Sequence, residues 1–592
     1  MIDLAAAYAQ ANNRKTRPER SGRVVVSPFP ADTRISLKAW SLWVLGFMAI
    51  AAVMPSDISY DVTHYHIHNG WAAWNGRLDV DFAPAGQHSF FNPVYHYFVW
   101  AMIEALPGPA VNAILAIPMA LILPALYYLT RTISLVMTGQ ASLFVCLAVA
   151  VLGFTAEGQL ELFATVRNDA WGALGFIAAL AASVTPRGGL APLYRLAIAS
   201  LALGALFGMK LTNLPYAVGY AVFVLVLAAD WKSRLQVALV CGAAGLAGIV
   251  VVAGPHALVL WERFGNPIFP LANDVFKSPL GPDGFDTYAH RKSAGLFGFL
   301  SYPLVFTFNS HMIGSTDLDD IRFLFSYLIA PGLIGLIIWR FRKATVAPWN
   351  RLVLALCIGV LVAILVWMAS MPVLRYMLAG WILGPVFGAM LFFAITGKAS
   401  LKRPGRMILA SFIAAMVFQT KIHMEFRVPW PSPMAPYIDT RLPDPQQFEN
   451  SYVLFAGSWP TAFLAPAFPE SATLAGIMKH RVFTPVLENY RDLIRSEMAA
   501  NPDRPVFAVM YAIDKSADDG SIEELEELRA FLTTAGGLSM LVEDYGLVGD
   551  DSACQPIGTN FKRTYFGYYV CPVFREDALA LRLRSTEPGD LG

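Results

Sequence analysis

Charged side chains are scarce in this chain. Asp, Glu, Lys and Arg make up 15% of its 592 residues, where a soluble domain carries about a quarter. The 56% that are hydrophobic fall in long runs rather than periodic stripes, which excludes an ordinary soluble fold. A bilayer core takes roughly 20 apolar residues per helix, and many stretches meet that. An excess of charge of one sign is lacking too. Forty-four basic against 43 acidic residues leave a net +1, so no nucleic-acid partner is indicated. Cysteine is sparse, at five. Cys146, Cys241 and Cys357 sit inside apolar runs and read as small core residues. Cys554 and Cys571 lie in the polar C-terminal region and are expected to pair, which requires an oxidising compartment. There is no internal repeat, which tells against a transporter. No short apolar core lies near Met1, so a cleavable signal is not expected.

What is present is sorted by position. Residues 1–37 are basic (Arg14, Lys15, Arg17, Arg20, Arg23), so they are expected to stay in the cytoplasm. The first apolar run, Ala39 to Met54, then exits as a signal-anchor helix. Alternating runs follow, with Lys and Arg in nearly every short inner loop: Arg131; Arg187 and Arg195; Lys232 and Arg234; Arg340, Arg342 and Lys343; Lys398, Lys402, Arg403 and Arg406. The expectation is about eleven transmembrane helices over 38–420. Segments 90–106 and 296–308 are apolar but short and Pro-interrupted, and read as interfacial or re-entrant. After residue 420 the pattern changes. Strand-like runs at Tyr452–Ala456, Val506–Ala512 and Tyr565–Phe574 alternate with helical ones such as Ile522–Leu532. The fold class expected is an all-α polytopic membrane domain followed by a small extracytoplasmic α/β domain over 421–592. The expected location is a bacterial inner membrane.

Polar residues concentrate in the outer loops. The first loop holds Asp61, His64, Tyr65, His66, His68 and Trp71. A carboxylate just past a membrane helix can deprotonate an acceptor hydroxyl or ligate a metal, and aromatic faces suit sugar rings. Alternating histidines can hold a metal. A divalent cation is therefore a candidate, with Asp61, His64, His68 and Asp169 as its ligands; the alternative is loop histidines making hydrogen bonds. The second loop holds Glu157, Glu161 and Asp169, and an acid at a helix start is also favoured by the dipole alone. Lys210 breaks an apolar stretch and reads as a cation for a lipid phosphate or as a snorkelling side chain. Arg375, followed by Tyr376, stands against the positive-inside trend, and its planar fork suits phosphate. The third long loop carries Gly265-Asn266-Pro267, which is turn chemistry, and then Lys277, Arg291 and Lys292, which could reach a pyrophosphate.

The chain resembles the GT-C superfamily of polytopic glycosyltransferases, which use polyprenyl-phosphate-linked sugars. Four features carry the resemblance: Asp61 with Tyr65 after the first helix; Glu157, Glu161 and Asp169 between the third and fourth; Phe264-Gly-Asn-Pro-Ile-Phe-Pro270; and Arg375-Tyr376 opening a late helix. The resemblance implies Asp61 as general base on a glycan or lipid acceptor, with Asp169 or Glu161 assisting. It implies Lys210, Arg375, Tyr376 and Arg291 at the donor phosphate, and His64, Tyr65, His66, Trp71 and Asn266 toward the sugar or acceptor. The leaving polyprenyl phosphate needs charge neutralisation. The chain lacks the Trp-Trp-Asp of the oligosaccharyltransferase branch. It also has Tyr60-Asp61-Val62 where many relatives carry Asp-Glu. The rival readings are a flippase of lipid-linked glycans, which would bury polar groups mid-helix, and an O-antigen polymerase or ligase, which would need no acidic base in the first loop.

Overall fold

Lipid offers no partners to backbone amides, so a chain this apolar must cross a membrane as helices. The computed structural model takes that form. It describes residues 33–184, 192–228, 230–282, 289–293, 295–314, 320–342, 350–397, 405, 407, 420–421, 426–456, 460–477, 484–513, 541, 544–549, 553–562 and 566–575.

Helix α1 spans Leu37–Val53, and the Ser36 side chain accepts from the Ala39 amide to cap its start. A short strand β1 (Ser56–Asp57) and a wide turn over Val62–His66 lead into α2 (Ile67–Trp74). Then come α3 (Val94–Ala105), α4 (Gly108–Leu115) and α5 (Ile117–Thr138). Helices α6 (Leu143–Phe154), α7 (Asp169–Val184), α8 (Pro192–Met209), α9 (Leu214–Leu227) and α10 (Trp231–Phe264) follow. The membrane part closes with α11 (Gly295–Thr307), α12 (Ala330–Arg342), α13 (Asn350–Ser370) and α14 (Gly384–Thr396).

Among the described residues five segments are long and apolar enough to cross a membrane: Gly108–Thr138, Trp231–Phe264, Arg322–Arg342, Asn350–Ser370 and Leu374–Thr396. Helices α1, α6, α7, α8 and α9 are apolar but shorter. The expected count of about eleven spans is thus not confirmed among the described residues. Ten of the expected runs coincide with a helix, and the last, before Thr420, lies outside the described residues. So does the expected helix Ile522–Leu532. One boundary moves. The second helix does not end before Arg131 but runs on to Thr138, where Gly139 at φ 73° supplies the left-handed cap. Arg131 is therefore not in a loop. It is buried in α5, and its Nε donates to the Thr33 carbonyl at 3.1 Å.

Helices α8 and α10 meet through Gly204, Gly245 and Gly248. A Cβ at Gly204 would strike the Gly245 backbone, and one at Gly248 would strike the Leu201 carbonyl. Small residues are what membrane helices use to approach this closely.

The C-terminal region adds strands β2 (Arg427–Val428), β3 (Thr440–Arg441), β4 (Tyr452–Phe455), β5 (Thr473–Gly476), β6 (Val506–Ile513), β7 (Leu547–Gly549), β8 (Gln555–Thr559) and β9 (Phe566–Arg575), with helix α15 (Thr484–Ala500) before β6. Strands β3-β8-β9-β6-β4-β5 form one sheet, and β7 also pairs with β9. The β4–β5 and β4–β6 pairings are parallel; the others are antiparallel. Cys554 and Cys571 form a disulfide within this region.

This sheet does not bury its faces by itself. Along β4 the side chains alternate. Val453 and Phe455 pack with Ile67, Trp71, Val99 and Ile103 of α2 and α3. Tyr452 and Leu454 pack with Tyr490 and Ile494 of α15 and with Phe90 and Phe269 of the membrane-domain loops. The apolar segment 90–106 accordingly turns Val99, Trp100 and Ile103 onto protein, while Tyr97 and Phe98 stay exposed. At one edge Phe82 bridges Ala475 of β5. Near the end of α1, β1 pairs with β2. The sheet therefore sits at the end of the bundle where α1 finishes.

Candidate functional site

Four ionisable residues meet at that same end. Asp61 follows α1, where the Asp57 carboxylate accepts from the Ser59 amide at 2.9 Å and turns the chain back into helix. Asp169 opens α7. Lys210 occupies the break between α8 and α9. Arg375 lies in the tight turn Leu374–Met377 after α13. Each is forced there because a charge is tolerated where an apolar helix ends and not in its middle.

Lys210 Nζ is 2.6 Å from Asp169 Oδ1. An Arg375 terminal nitrogen is 2.5 Å from Asp61 Oδ2, and Arg375 Nε is 3.8 Å from Asp169 Oδ2. The Tyr376 ring lies under both cations, 5.1 Å from Lys210 Nζ and 5.3 Å from Arg375 Cζ. Two carboxylates and two cations cancel, so the quartet is neutral as it stands. Its hydrogen bonding is incomplete. Asp169 Oδ2 and Arg375 Nε are buried and make no hydrogen bond.

A cavity of about 300 Å³ opens above the quartet. Lys210, Tyr376, Tyr65 and His66 form its polar end. Phe91, Ala253, Ala257, Ile268, Phe269 and Met371 make an apolar wall. Asp61, Asp169 and Arg375 lie behind that polar end rather than in the wall. A hollow of about 1150 Å³ on the sheet domain, between the Arg495–Phe507 and Tyr545–Arg575 stretches, is larger. None of the predicted site residues lines it, and converging chemistry outweighs size.

The other predicted residues divide. Tyr65 stacks on His66 and His88, at 4.3 and 4.8 Å between centroids. Burial, then Asp61, raises its hydroxyl pKa well above the usual value. His66 Nδ1 is 3.0 Å from His96 Nδ1. Burial, then the partner ring and the nearby cations Lys210, Arg375 and Arg167, hold His66 well below 6.5. Burial, then Lys210, takes His96 down to about 3. Glu161 lies in a neighbouring ion cluster, where Arg167 reaches it at 3.0 Å and Asp57 at 3.5 Å. His64 faces Tyr60 and His88. His68 pairs with Asn69 at 3.1 Å, and Trp71 lies under Arg77, 5.5 Å away. Asn266 ties its own turn, donating to the Leu271 carbonyl and accepting from the Ile268 amide, so it shapes the loop whose Ile268 and Phe269 line the cavity. Arg291 sits in a turn whose carbonyl accepts from Tyr302, and it is not in the cavity wall.

For a divalent cation the fit is poor. Asp61 and Asp169 are already met by Arg375 and Lys210, and His64 and His68 face other partners. Among the described residues no three His, Cys, Asp or Glu side chains converge as ligands. The sequence reading missed Gln87, His96 and Asn168, which also line the cavity. His96 stands alone in an aromatic segment, Gln87 in a loop and Asn168 beside charged neighbours that draw attention first, and none has a local signature.

Comparison with protein-family models gives no match, and comparison with curated proteins gives none. Among solved structures the chain is similar to ArnT from Cupriavidus metallidurans bound to undecaprenyl phosphate, at a TM-score of 0.45 and 11% identity over 90% of this chain and 97% of that one. It is also similar to the Archaeoglobus fulgidus oligosaccharyltransferase in the apo form, at a TM-score of 0.42 and 14% identity over 80% and 70% of the two chains. The oligosaccharyltransferase AglB of that organism, in complex with an inhibitory peptide and a dolichol-phosphate, gives a TM-score of 0.42 and 15% identity over 80% and 69%.

Proposed function

We propose that this chain is an inner-membrane glycosyltransferase that moves a sugar from a polyprenyl-phosphate donor to a hydroxyl of an extracytoplasmic glycan or lipid acceptor. The observation that carries this reading is the charge quartet under an apolar-walled cavity. A lipid phosphate needs cations at one end and apolar walls along its chain, and Lys210 with the Phe91–Phe269 wall offers both.

The neutrality of the quartet suggests how it works. An arriving phosphate competes with the carboxylates for Lys210 and Arg375. As the cations turn to the phosphate, Asp61 loses its counter-ion and becomes available to accept the acceptor's proton. The same cations neutralise the charge that grows on the departing phosphate. Binding of donor is thereby coupled to release of the base.

The test is Asp61→Asn, assayed for transfer from a radiolabelled polyprenyl-phospho-sugar in membrane vesicles. Transfer should fall at least about 100-fold, the usual size of a general-base contribution, with thermal stability in detergent retained. Full activity in the variant would remove Asp61 as the base.

A further inference from the structure

The cavity wall carries neutral polar atoms that the protein itself leaves unsatisfied. His66 Nε2, Gln87 Oε1 and Asn168 Oδ1 are buried and have no hydrogen-bond partner. Their residues are 1%, 2% and 2% exposed, and all three line the one cavity. An unpaired buried polar atom is costly, and these three share one cavity, which points to a ligand that supplies the missing partners.

The chemistry of that ligand follows from the wall. The two amides are neutral. The imidazole of His66 is held neutral by burial and by the cations beside it. In the 3.0 Å contact between His66 and His96, one Nδ1 carries the proton and the other a lone pair. When His66 Nδ1 donates, its Nε2 is an acceptor; when it accepts, its Nε2 is a donor. The pair can therefore present either role to the cavity without gaining charge. A hydroxyl has the same dual character. Phe91 in the same wall adds an aromatic face of the kind that sugar rings pack on. A sugar carboxylate at this wall would instead meet the two amide oxygens, with Lys210 and Arg375 taken up by the lipid phosphate.

We propose that His66, Gln87 and Asn168 bind the sugar ring of the lipid-linked substrate through its hydroxyls, and select a neutral sugar over an anionic one. This rests on reading the quartet as the lipid-phosphate site.

The test uses the full chain in nanodiscs, with undecaprenyl phosphate, undecaprenyl-phospho-glucose, hexyl glucoside and hexyl glucuronide as probes. Gln87→Met and Asn168→Leu remove hydrogen bonding at roughly constant volume. Each should weaken undecaprenyl-phospho-glucose about tenfold, the size of one or two lost hydrogen bonds, and leave undecaprenyl phosphate unchanged. The unchanged arm also shows that the variants fold. Wild type should prefer hexyl glucoside to hexyl glucuronide about tenfold or more. Equal losses for both lipids, no loss for either, or a glucuronide bound as tightly as the glucoside would overturn the proposal. If wild type selects the glucoside but binds neither lipid, the phosphate reading fails and the sugar wall stands. If it binds undecaprenyl phosphate but distinguishes neither sugar, the sugar wall fails and the phosphate reading stands.

Discussion

Arg375 serves two aspartates at once, 2.5 Å from Asp61 and 3.8 Å from Asp169. Only a forked cation can span both, because an ammonium is a compact point charge. Arg375→Lys should therefore keep the local charge and still lower transfer, by at least about tenfold if one charge-assisted hydrogen bond is lost. Steady-state kcat/KM on a polyprenyl-phospho-sugar checks this, and an unchanged value would show that charge alone suffices. His68 makes a different prediction. It lies outside the cavity wall, fully buried, and burial lowers its pKa to about 4. An unfolded histidine titrates near 6.5. The unfolded chain thus takes up a proton between those values that the folded chain refuses. Stability from this group is full above pH 6.5 and is lost as pH falls toward 4, at about 1.4 kcal/mol per pH unit. His68→Leu should flatten the fall of melting temperature between pH 7 and 5; an unaltered slope would assign the acid sensitivity elsewhere.

Between the elements, one strap ties the first outer loop to the sheet. Arg77 forks onto Asp81 at 2.6 and 3.0 Å and donates to the carbonyls of Glu470 and Ala472. Asp81 in turn accepts from the Leu474 amide. Arg77 and the Asp81 side chain are both nearly fully buried. Removing one partner of a buried pair strands the other and costs about 3–5 kcal/mol. Arg77→Met should therefore lower the melting temperature sharply, and a loss near zero would mean that water reaches the pair. Such contacts explain what the sequence could not disclose. Asp61, Asp169, Lys210 and Arg375 were legible because each marks a break in hydropathy at a helix end. The pairing of Phe82 with β5, and of Arg77 with carbonyls in the sheet domain, has no local pattern. The same holds for His96. It reaches His66 only because Gly70 lets α3 pack against α2, where a Cβ would meet the His96 carbonyl and Trp100. The stretch before residue 90 reads as a polar aromatic loop and 90–106 as an interfacial segment, whereas α2 and α3 form largely against a sheet several hundred residues away in sequence.

At the scale of the molecule, the reading depends on which ends of the helices share a side. The end of α1, the start of α7, the end of α8 and the turn after α13 converge on the quartet. The β1–β2 pairing and the Trp430 indole, which donates to the Met54 carbonyl at 2.7 Å, fix the sheet domain to that same side. The opposite side holds the start of α10 with Lys232 and Arg234, and the end of α12 with Arg340 and Arg342. Basic residues gather on the cytoplasmic side, which supports the proposal that the site and the sheet face the other. A reducing cytoplasm would not keep the Cys554–Cys571 disulfide closed, whereas an oxidising compartment would. The three remaining cysteines are buried, so single new cysteines can report sidedness against a quiet background. Ser432→Cys, in an exposed turn of the sheet domain, should react with a membrane-impermeant maleimide in intact cells. Lys232→Cys, exposed at the start of α10, should react only after permeabilisation. The reverse pattern would place the quartet in the cytoplasm, where a lipid-linked donor would have to be used before it crosses the membrane.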